Sequence, residues 1–134
     1  MILLDTSVLS HVFRRVGGGS ASDVVSRFTL LVEQGSPLAI PGVVFQEILS
    51  GVRDPRQFDR LRDSLKGFPR ILANERDHVE AARLINLLRR RGITASSFDA
   101  LIAAMTILRD GVLFTLDRDF ESFSRFAPLE LLDQ

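Results

Sequence analysis

The sequence contains no cysteine, and only one of its 17 basic residues, Lys66, is a lysine. The absence of cysteine excludes disulfide bonds and thiolate metal sites. No apolar run approaches the roughly 18 residues that a membrane-spanning helix needs. The first four residues, MILL, have neither the basic flank nor the apolar length of a signal peptide. We therefore expect a cytoplasmic protein with no membrane partner.

The sequence also has no net charge, because 17 acidic residues balance the 17 basic ones. Proteins that bind nucleic acid often carry a basic excess, so the overall charge gives no support to that class. If several acids are gathered in one site, however, the remaining surface is net basic. The preference for arginine suits phosphate recognition, although genome codon bias is the simpler explanation.

Short apolar segments alternate with helical patterns along the 134 residues, a length that fits one domain, 1–134. The patterns predict strands at 1–4, 38–40, 112–115 and 129–132, and a strand or extended segment at 68–72. They predict helices at 7–15, 23–34, 43–50, from 54 onward, 74–91, 96–109 and, as short helix or turn, 119–126. This alternation predicts an α/β fold, a three-layer α/β/α sandwich with a mainly parallel central sheet.

Two acidic residues follow predicted strands directly. Asp5 comes after the first strand, and Asp117 lies two residues beyond Thr115, where the fourth predicted strand ends. Parallel sheets of this kind bind their ligands at the carboxyl ends of the strands. If both strands lie centrally, we expect the two carboxylates at the same edge of the sheet.

Two further acids belong to predicted helices. Glu47 lies three and four residues after Val44 and Val43, so it shares their apolar face. A carboxylate buried there costs several kcal/mol unless a cation compensates its charge. Asp99 opens a helix that is apolar nearly all round, at the end where the helix dipole tolerates negative charge.

Each of these acids also has an ordinary structural explanation. Asp5 has the position of a helix N-cap, and Asp99 has the spacing of a capping-box residue. Glu47 could reach solvent from the edge of its helix, and Asp117 could be a turn residue like its neighbour Asp119. Taken together, these separate explanations are weaker, because they would require unrelated acids to lie at one edge of the sheet by coincidence.

A cluster of carboxylates without histidine or cysteine selects hard cations, Mg²⁺ with Mn²⁺ as a substitute. Such ions activate water and neutralise charge on a phosphate during displacement. Acidic side chains alone would repel a polyanion, so the cation is needed for binding as well as for chemistry. The acids therefore indicate metal-dependent chemistry at a phosphate.

Four segments resemble, in their order and spacing, the acidic motifs of PIN-domain proteins, especially the VapC-type toxins. They are residues 2–9 (ILLDTSVL), 46–51 (QEILSG), 98–104 (FDALIAA) and 114–120 (FTLDRDF). The resemblance covers essentially the whole chain. It implies the α/β/α sandwich, a Mg²⁺-dependent endoribonuclease that acts on RNA, and frequent homodimers. It also implies a small antitoxin encoded alongside, as in a type II toxin–antitoxin module.

The resemblance also implies roles for individual residues. Asp5, Glu47, Asp99 and Asp117 would be the catalytic and metal-binding acids. Asp119 would contribute to the metal through water or in its outer shell. A carboxylate, either Glu47 or Asp117, would accept the proton of the attacking water. The sequence leaves this choice open.

Several polar residues near these motifs could assist. Thr6, Ser7 and Thr115 could hydrogen-bond the acids or a phosphate. Arg14 and Arg15, like Arg118, could meet phosphates, although solvent exposure is the simpler explanation for each. His11, on the first predicted helix, has a packing or surface role as its simpler explanation.

Apolar residues give a further hypothesis about partners. Phe13, Phe58 and Leu61 could line a groove for an antitoxin helix, with core packing as the ordinary alternative.

A non-catalytic PIN-like module that docks a protein or RNA is the alternative function, and it predicts missing acids. Phosphotransfer domains fit poorly. A receiver-like domain needs a lysine at the end of a strand, but the only lysine, Lys66, lies near a predicted helix end. A domain of the haloacid-dehalogenase type needs an acid two residues after the first aspartate, but position 7 is serine. No glycine-rich turn follows the first strand, which excludes a dinucleotide-binding fold.

Overall fold

A computed structural model of the chain describes residues 1–14 and 23–133. Within them, five strands form one sheet in the order β3-β2-β1-β4-β5. The strands are β1 Ile2–Leu4, β2 Leu38–Pro41, β3 Arg70–Ile71, β4 Val112–Phe114 and β5 Glu130–Leu131. Every neighbouring pair is parallel. The α/β fold with a parallel sheet, predicted from the sequence, is thereby confirmed.

Helices flank this sheet in two groups. The α-helices of the described residues are α1 Thr6–Leu9, α2 Asp23–Glu33, α3 Gly42–Ser50, α4 Pro55–Ser64, α5 Glu75–Arg90, α6 Ser97–Leu108 and α7 Phe120–Phe126. Helix α3 contacts α1 and α4, while α5, α6 and α7 contact one another. None of the helices in this part of the chain combines the length and the apolar character needed to cross a bilayer.

The core is centred on β1, β4 and α6. Residues 100–106 of α6 are all buried, as the all-round apolar pattern of this helix predicts. Ile102 and Met105 are fully buried there, as are Leu3 and Phe114 on the adjacent strands. Each large apolar side chain contributes about 1.5–3 kcal/mol to folding when it is fully removed from water. This packing fixes the first turn of α6 relative to the ends of β1 and β4.

Local polar contacts set the helix ends. The Ser96 hydroxyl accepts a hydrogen bond from the Asp99 N–H at 3.0 Å, which makes Ser96 the N-cap of α6. Asn74 caps α5 in a capping box completed by Asp77. Gly92, with φ of 77°, follows the end of α5 in the left-handed conformation that glycine adopts readily. These starts and stops agree with the sequence predictions.

Two predicted elements differ from the structure. The predicted helix at 7–15 is the α-helical turn α1 followed by a π-helical segment, Ser10–Arg14. No glycine or proline occurs between residues 6 and 14 to signal this change. The strand or extended segment predicted at 68–72 contains the short strand β3, because only two of its residues pair with β2. The glycine-rich residues 17–20, predicted as a flexible loop, lie outside the described residues.

Candidate active site

The pairing of β1 with β4 brings two strand-end residues together. Leu4 lies opposite Phe114 in the register of this parallel pair. The N–H of Asp5 continues the pairing by donating to the Phe114 carbonyl oxygen at 3.0 Å. Asp5 and Thr115 are therefore neighbours at the carboxyl edge of the sheet.

The Asp5 carboxylate is buried and held by two hydroxyls. Its exposed fraction is 4%, and its Oδ2 accepts hydrogen bonds from the Ser7 and Thr115 hydroxyls, each at 2.7 Å. Each hydroxyl in turn accepts a backbone N–H, from Leu116 at 2.9 Å and from Asp117 at 3.0 Å. This network links the ends of β1 and β4.

Asp5 has the N-cap position of α1, but its side chain makes no capping hydrogen bond. The simple capping explanation of Asp5 is therefore wrong, because its Oδ2 is turned to hydroxyls of the sheet edge instead. Of the three hydroxyls expected to hydrogen-bond an acid or a phosphate, Thr6 alone does not contact an acid. Its Oγ1 is buried without a hydrogen-bond partner among the described residues. Thr6 and Ser7 are consecutive on a helix, so their side chains point about 100° apart.

Three other acids converge beside Asp5. Each of Asp99, Asp117 and Asp119 has a carboxylate oxygen within 4.8 Å of the others. Asp99 is half-buried in the first turn of α6, Asp117 is partly exposed after β4, and Asp119 is exposed just before α7. We call these three residues the acid cluster. Two segments distant in sequence, the first turn of α6 and the turn between β4 and α7, thus place negative charge in one small region.

The surroundings of Asp99 disfavour the negative charge of its carboxylate. Burial raises the pKa of Asp99 to about 6, and the nearby charges of Asp117, Asp5 and Asp119 act in the same direction. A hydrogen bond with Ser96 opposes the shift. The negative form of Asp99 is therefore unfavourable unless a positive charge lies close to it.

The ordinary explanations of Asp117 and Asp99 are correct in part. The Asp119 N–H donates to Oδ1 of Asp117 at 2.9 Å, which is a turn-forming contact. At Asp99, it is the backbone N–H that takes part in the cap with Ser96. Neither contact neutralises a carboxylate charge, so a structural role does not account for the gathering of the acids.

Glu47 differs from expectation. The prediction that it is buried on the apolar face of α3 is wrong, because its side chain is exposed while Val44 is buried. The acid cluster found in the described residues does not include it. Helix α3 begins at Gly42 beside the sheet edge, and a rise of 1.5 Å per residue carries Glu47 about 7.5 Å further along the helix axis. The desolvation argument for a cation at Glu47 therefore does not hold.

The acid cluster offers the ligand atoms that a hard divalent cation binds. All of its candidate ligand atoms are carboxylate oxygens, the type that Mg²⁺ and Mn²⁺ prefer. Burial and, after it, the neighbouring acids raise the pKa of Asp99, and a bound cation would offset both effects. The residues present therefore fit a metal site at the carboxyl edge of the sheet.

The arginines predicted near the site lie on the surface. Arg118 is 88% exposed, with its Nε 3.8 Å from Glu121 Oε1. Arg14 is exposed, and its Nη1 lies 2.9 Å from the position that a Cβ on Gly51 would occupy. Arg15 lies outside the described residues. Solvent exposure, the simpler explanation, thus agrees with the positions of Arg14 and Arg118.

A groove lies on the other helix group. Phe13 contacts Phe28 and Phe68 edge-on, with ring centroids 5.8 and 6.2 Å apart, and Leu61 is 8% exposed. Core packing thus accounts for most of the surface of Phe13 and Leu61. Both still line a groove of about 330 Å³, whose other lining residues are Arg14, Val52, Gln57, Arg60 and Ser64.

Comparison with known proteins agrees with this architecture. The sequence profile of the PIN domain matches residues 2–126. The chain is 33% identical to "Ribonuclease VapC11" of Mycobacterium tuberculosis over 132 residues, which are 97% of this chain and 96% of that protein.

Solved structures share the fold. The VapBC2 structure from Rickettsia felis, bound to a promoter DNA fragment, matches with a TM-score of 0.80 and 21% identity, covering 100% of this chain and 99% of that one. A toxin–antitoxin complex from Klebsiella pneumoniae matches with a TM-score of 0.69 and 22% identity, covering 99% and 97%. The chain therefore belongs to the PIN-domain family, among the VapC ribonucleases, as the order of its acidic motifs predicts.

Proposed function

We propose that this chain is a Mg²⁺-dependent endoribonuclease that acts as the toxin of a type II toxin–antitoxin module. The observation that carries the proposal is the convergence of the Asp99, Asp117 and Asp119 carboxylates within 4.8 Å of one another. Asp5 is held at the same edge of the sheet. The ribonuclease names of the relatives support the same activity. RNA as substrate places the proposed activity in the cytoplasm.

Asp5 and the acid cluster would hold the cation. Mg²⁺, or Mn²⁺ in its place, supplies charge neutralisation at the scissile phosphate and a water of lowered pKa. Glu47, an exposed carboxylate outside the acid cluster, would act directly or through water.

The protein's own residues would orient the Asp5 carboxylate and accept the proton of the attacking water. Ser7 and Thr115 fix Oδ2 of Asp5, so the buried carboxylate keeps one orientation when RNA arrives. The proton of the attacking water passes to Glu47 or to Asp117, both of which reach solvent. Preorganised carboxylates of this kind need no rearrangement at the moment of reaction.

Cleavage of a mixed RNA pool tests the activity. We expect cleavage with Mg²⁺, and we expect its loss with EDTA or in Asp5→Asn. Asp59→Asn, an exposed aspartate on α4, is the matched control and should cleave like the unsubstituted protein. Equal cleavage in all conditions would contradict the metal mechanism. RNA binding without any cleavage would favour the non-catalytic binding module.

An antitoxin is the proposed protein partner. The groove lined by Phe13 and Leu61 offers an apolar floor with the guanidinium groups of Arg14 and Arg60 beside it. Such a groove suits an amphipathic helix or an extended segment that carries acidic residues. An inhibitor could also place an arginine against the acid cluster. Co-purification with a small protein encoded beside this chain would support the proposal.

A homodimer is also part of the proposal. Leu72 and Val79 are 75% and 46% exposed, and contact with a second copy of the chain would remove this apolar surface from water. Light scattering after size exclusion should give twice the mass of the chain. A stable monomer at high concentration would contradict this part of the proposal alone.

A further inference from the structure

A run of arginines lies at the C-terminal end of α5, outside the acid cluster. Arg89, Arg90 and Arg91 are all exposed, and we call these three residues the arginine ridge. From residue 81 to residue 98 the sequence has four arginines and no acidic residue. The ion pairs seen in residues 1–14 and 23–133 involve other arginines. The ridge is therefore a concentrated positive charge.

The fold places this ridge at the same end of the molecule as the acids. Asp77, in the first turn of α5, contacts both Nη atoms of Arg109, just after the end of α6, at 2.8 and 2.9 Å. The start of α5 therefore meets the end of α6, and the two helices are antiparallel. It follows that the end of α5 lies beside the start of α6, where Asp99 is found.

The connection between the ridge and Asp99 is short and polar. Residues 92–96 join the two helices, and the hydroxyl residues Thr94, Ser96 and Ser97 are exposed along the way. Arg91 and Asp99 are eight residues apart in sequence, so their Cα atoms lie at most about 29 Å apart even for an extended chain. A few nucleotides of an RNA strand are enough to bridge this distance.

One arginine of the ridge is held in place. The guanidinium carbon of Arg91 lies 4.8 Å from the centroid of the Phe126 ring. This cation–π contact restrains the side chain, which lowers the entropy lost when it binds a phosphate. It also ties the ridge to α7, the helix that follows Asp119.

An ordinary explanation of the ridge is the helix dipole. Cations in the last turn of a helix stabilise it by about 0.3–1 kcal/mol each at low salt. This explanation predicts a loss of stability when the arginines are replaced and no change in RNA affinity. It does not explain why an acid-free stretch leads into an acidic site that would otherwise repel RNA.

We propose that the arginine ridge binds backbone phosphates of the RNA strand on one side of the bond that is cut. The inference rests on the proposed ribonuclease function and adds to it where the substrate lies. Guanidinium groups suit phosphate oxygens, and a positive track along the backbone binds single strands without reading their sequence. The ridge thus offsets the repulsion between the acid cluster and the RNA.

The test is an RNA-binding measurement without cleavage. The protein carries Asp5→Asn, and the probe is a fluorescent single-stranded RNA measured by anisotropy over a range of salt concentrations. Arg89→Gln, Arg90→Gln and Arg91→Gln are combined in one variant. Its matched control combines Arg53→Gln, Arg56→Gln and Arg62→Gln, which removes the same charge from exposed residues in and beside α4.

We expect the ridge variant to bind RNA about tenfold more weakly at low salt. The slope of log affinity against log salt should fall by about 2, since each phosphate contact to a single strand contributes about 0.7. The control variant should keep the affinity and the slope of the Asp5→Asn protein. A smaller slope of log affinity against log salt in the ridge variant, but not in the control variant, would support the ridge as a phosphate-binding surface.

Other results would overturn the inference. Equal binding by the ridge variant and the control would do so, as would a lower melting temperature with unchanged RNA affinity, which the helix dipole predicts. Loss of the co-purified antitoxin with intact RNA binding would assign the ridge to a protein partner instead. Cleavage by the unsubstituted protein is scored separately. If it persists when the ridge proves irrelevant, the ribonuclease function stands and only this inference fails.

Discussion

Hydroxyls hold one oxygen of the Asp5 carboxylate. Its Oδ2 accepts hydrogen bonds from Ser7 and Thr115, each at 2.7 Å. These two contacts fix the orientation of the group at the carboxyl edge of the sheet. In the proposed mechanism, Ser7 and Thr115 would be positioning residues, which act through Asp5.

Removing these hydroxyls should slow the reaction. We expect Ser7→Ala and Thr115→Val each to lower kcat about 10–100-fold, the usual cost of losing a group that orients a metal-binding side chain. The metal concentration for half-maximal activity should rise as well. Thr115→Ser keeps the hydroxyl and should restore most of the rate. Ser50→Ala, whose hydroxyl donates to the Gln46 carbonyl oxygen on exposed α3, is the control. Unchanged kinetics in both site variants would contradict the positioning role.

The charge on Asp99 should make the metal-free protein less stable. In EDTA at pH 8, we expect Asp99→Asn to melt a few degrees higher than the unsubstituted protein, because it removes a carboxylate whose ionised form is disfavoured. With Mn²⁺ the order should reverse. A cation at about 100 times its Kd adds about 2.7 kcal/mol to the folded state, and the variant should gain less. Melting curves that do not respond to Mn²⁺ would contradict metal binding.

At the scale of elements, α5 and α6 are locked by a buried ion pair. Asp77 is 1% exposed and completes the capping box of α5 with Asn74. Its two carboxylate oxygens contact Nη1 and Nη2 of Arg109 at 2.8 and 2.9 Å, and Arg109 also donates to the Met105 carbonyl oxygen at 2.9 Å. The lock lies at the end opposite the acids. It holds α5 and α6 antiparallel, with the first turn of α6 at the acid cluster.

Breaking this lock should destabilise the fold without touching the chemistry. We expect Arg109→Gln to cost about 3 kcal/mol or more, because it leaves a buried carboxylate without its cation. Urea unfolding measures the loss. The double variant with Asp77→Asn should lose less than the sum of the two single variants. Additive effects would show that the two side chains do not stabilise the fold as a pair.

The same ion pair predicts a pH dependence. The hydrogen bond from Arg109 lowers the pKa of Asp77 below its ordinary value of 3.8, despite the opposing effect of burial. The folded state therefore binds this proton less readily than the unfolded state. Its contribution to stability is complete above the unfolded pKa of about 3.9 and is lost as the pH falls through the lower, folded value. Between pH 5 and pH 2.5, the melting temperature of Asp77→Asn should change less with pH than that of the unsubstituted protein.

At the scale of the whole molecule, a net charge of zero conceals a separation of charge. The acid cluster lies at the carboxyl edge of the sheet, and the arginine ridge lies beside it at the end of α5. Two further arginines, Arg14 and Arg60, line the groove on the other helix group. The surface therefore offers one region suited to RNA and another suited to a protein partner.

A charge reversal in the groove should weaken antitoxin binding. We expect Arg60→Glu to reduce the affinity of the co-purified partner about tenfold, a loss of about 1.4 kcal/mol, because it places a negative charge beside an acidic segment. Arg56→Glu changes an exposed arginine on the same helix that does not line the groove, and it should bind normally. RNA cleavage by the free toxin should be unaffected in both. Equal capture of the partner by the two variants would place the antitoxin elsewhere.

Local sequence patterns are enough to predict the order of the strands and helices and the place of the acids among them, although not the π-helical segment Ser10–Arg14. Periodicity, strand-end aspartates and caps such as Asn74 and Ser96 are local features, since each depends on residues a few positions apart. The alternation of strands and helices was then enough to predict a parallel sheet with Asp5 and Asp117 at one edge.

Which side chains meet depends on how the strands and helices pack together. The tertiary structure placed Asp119 within the acid cluster and left Glu47 exposed, and it joined the Thr115 hydroxyl to Asp5 across 110 positions of sequence. It also paired Asp77 with Arg109. Such contacts depend on strand register and on the depth at which each helix packs. These are set by the sum of many weak apolar contacts over the whole core, which no single motif records.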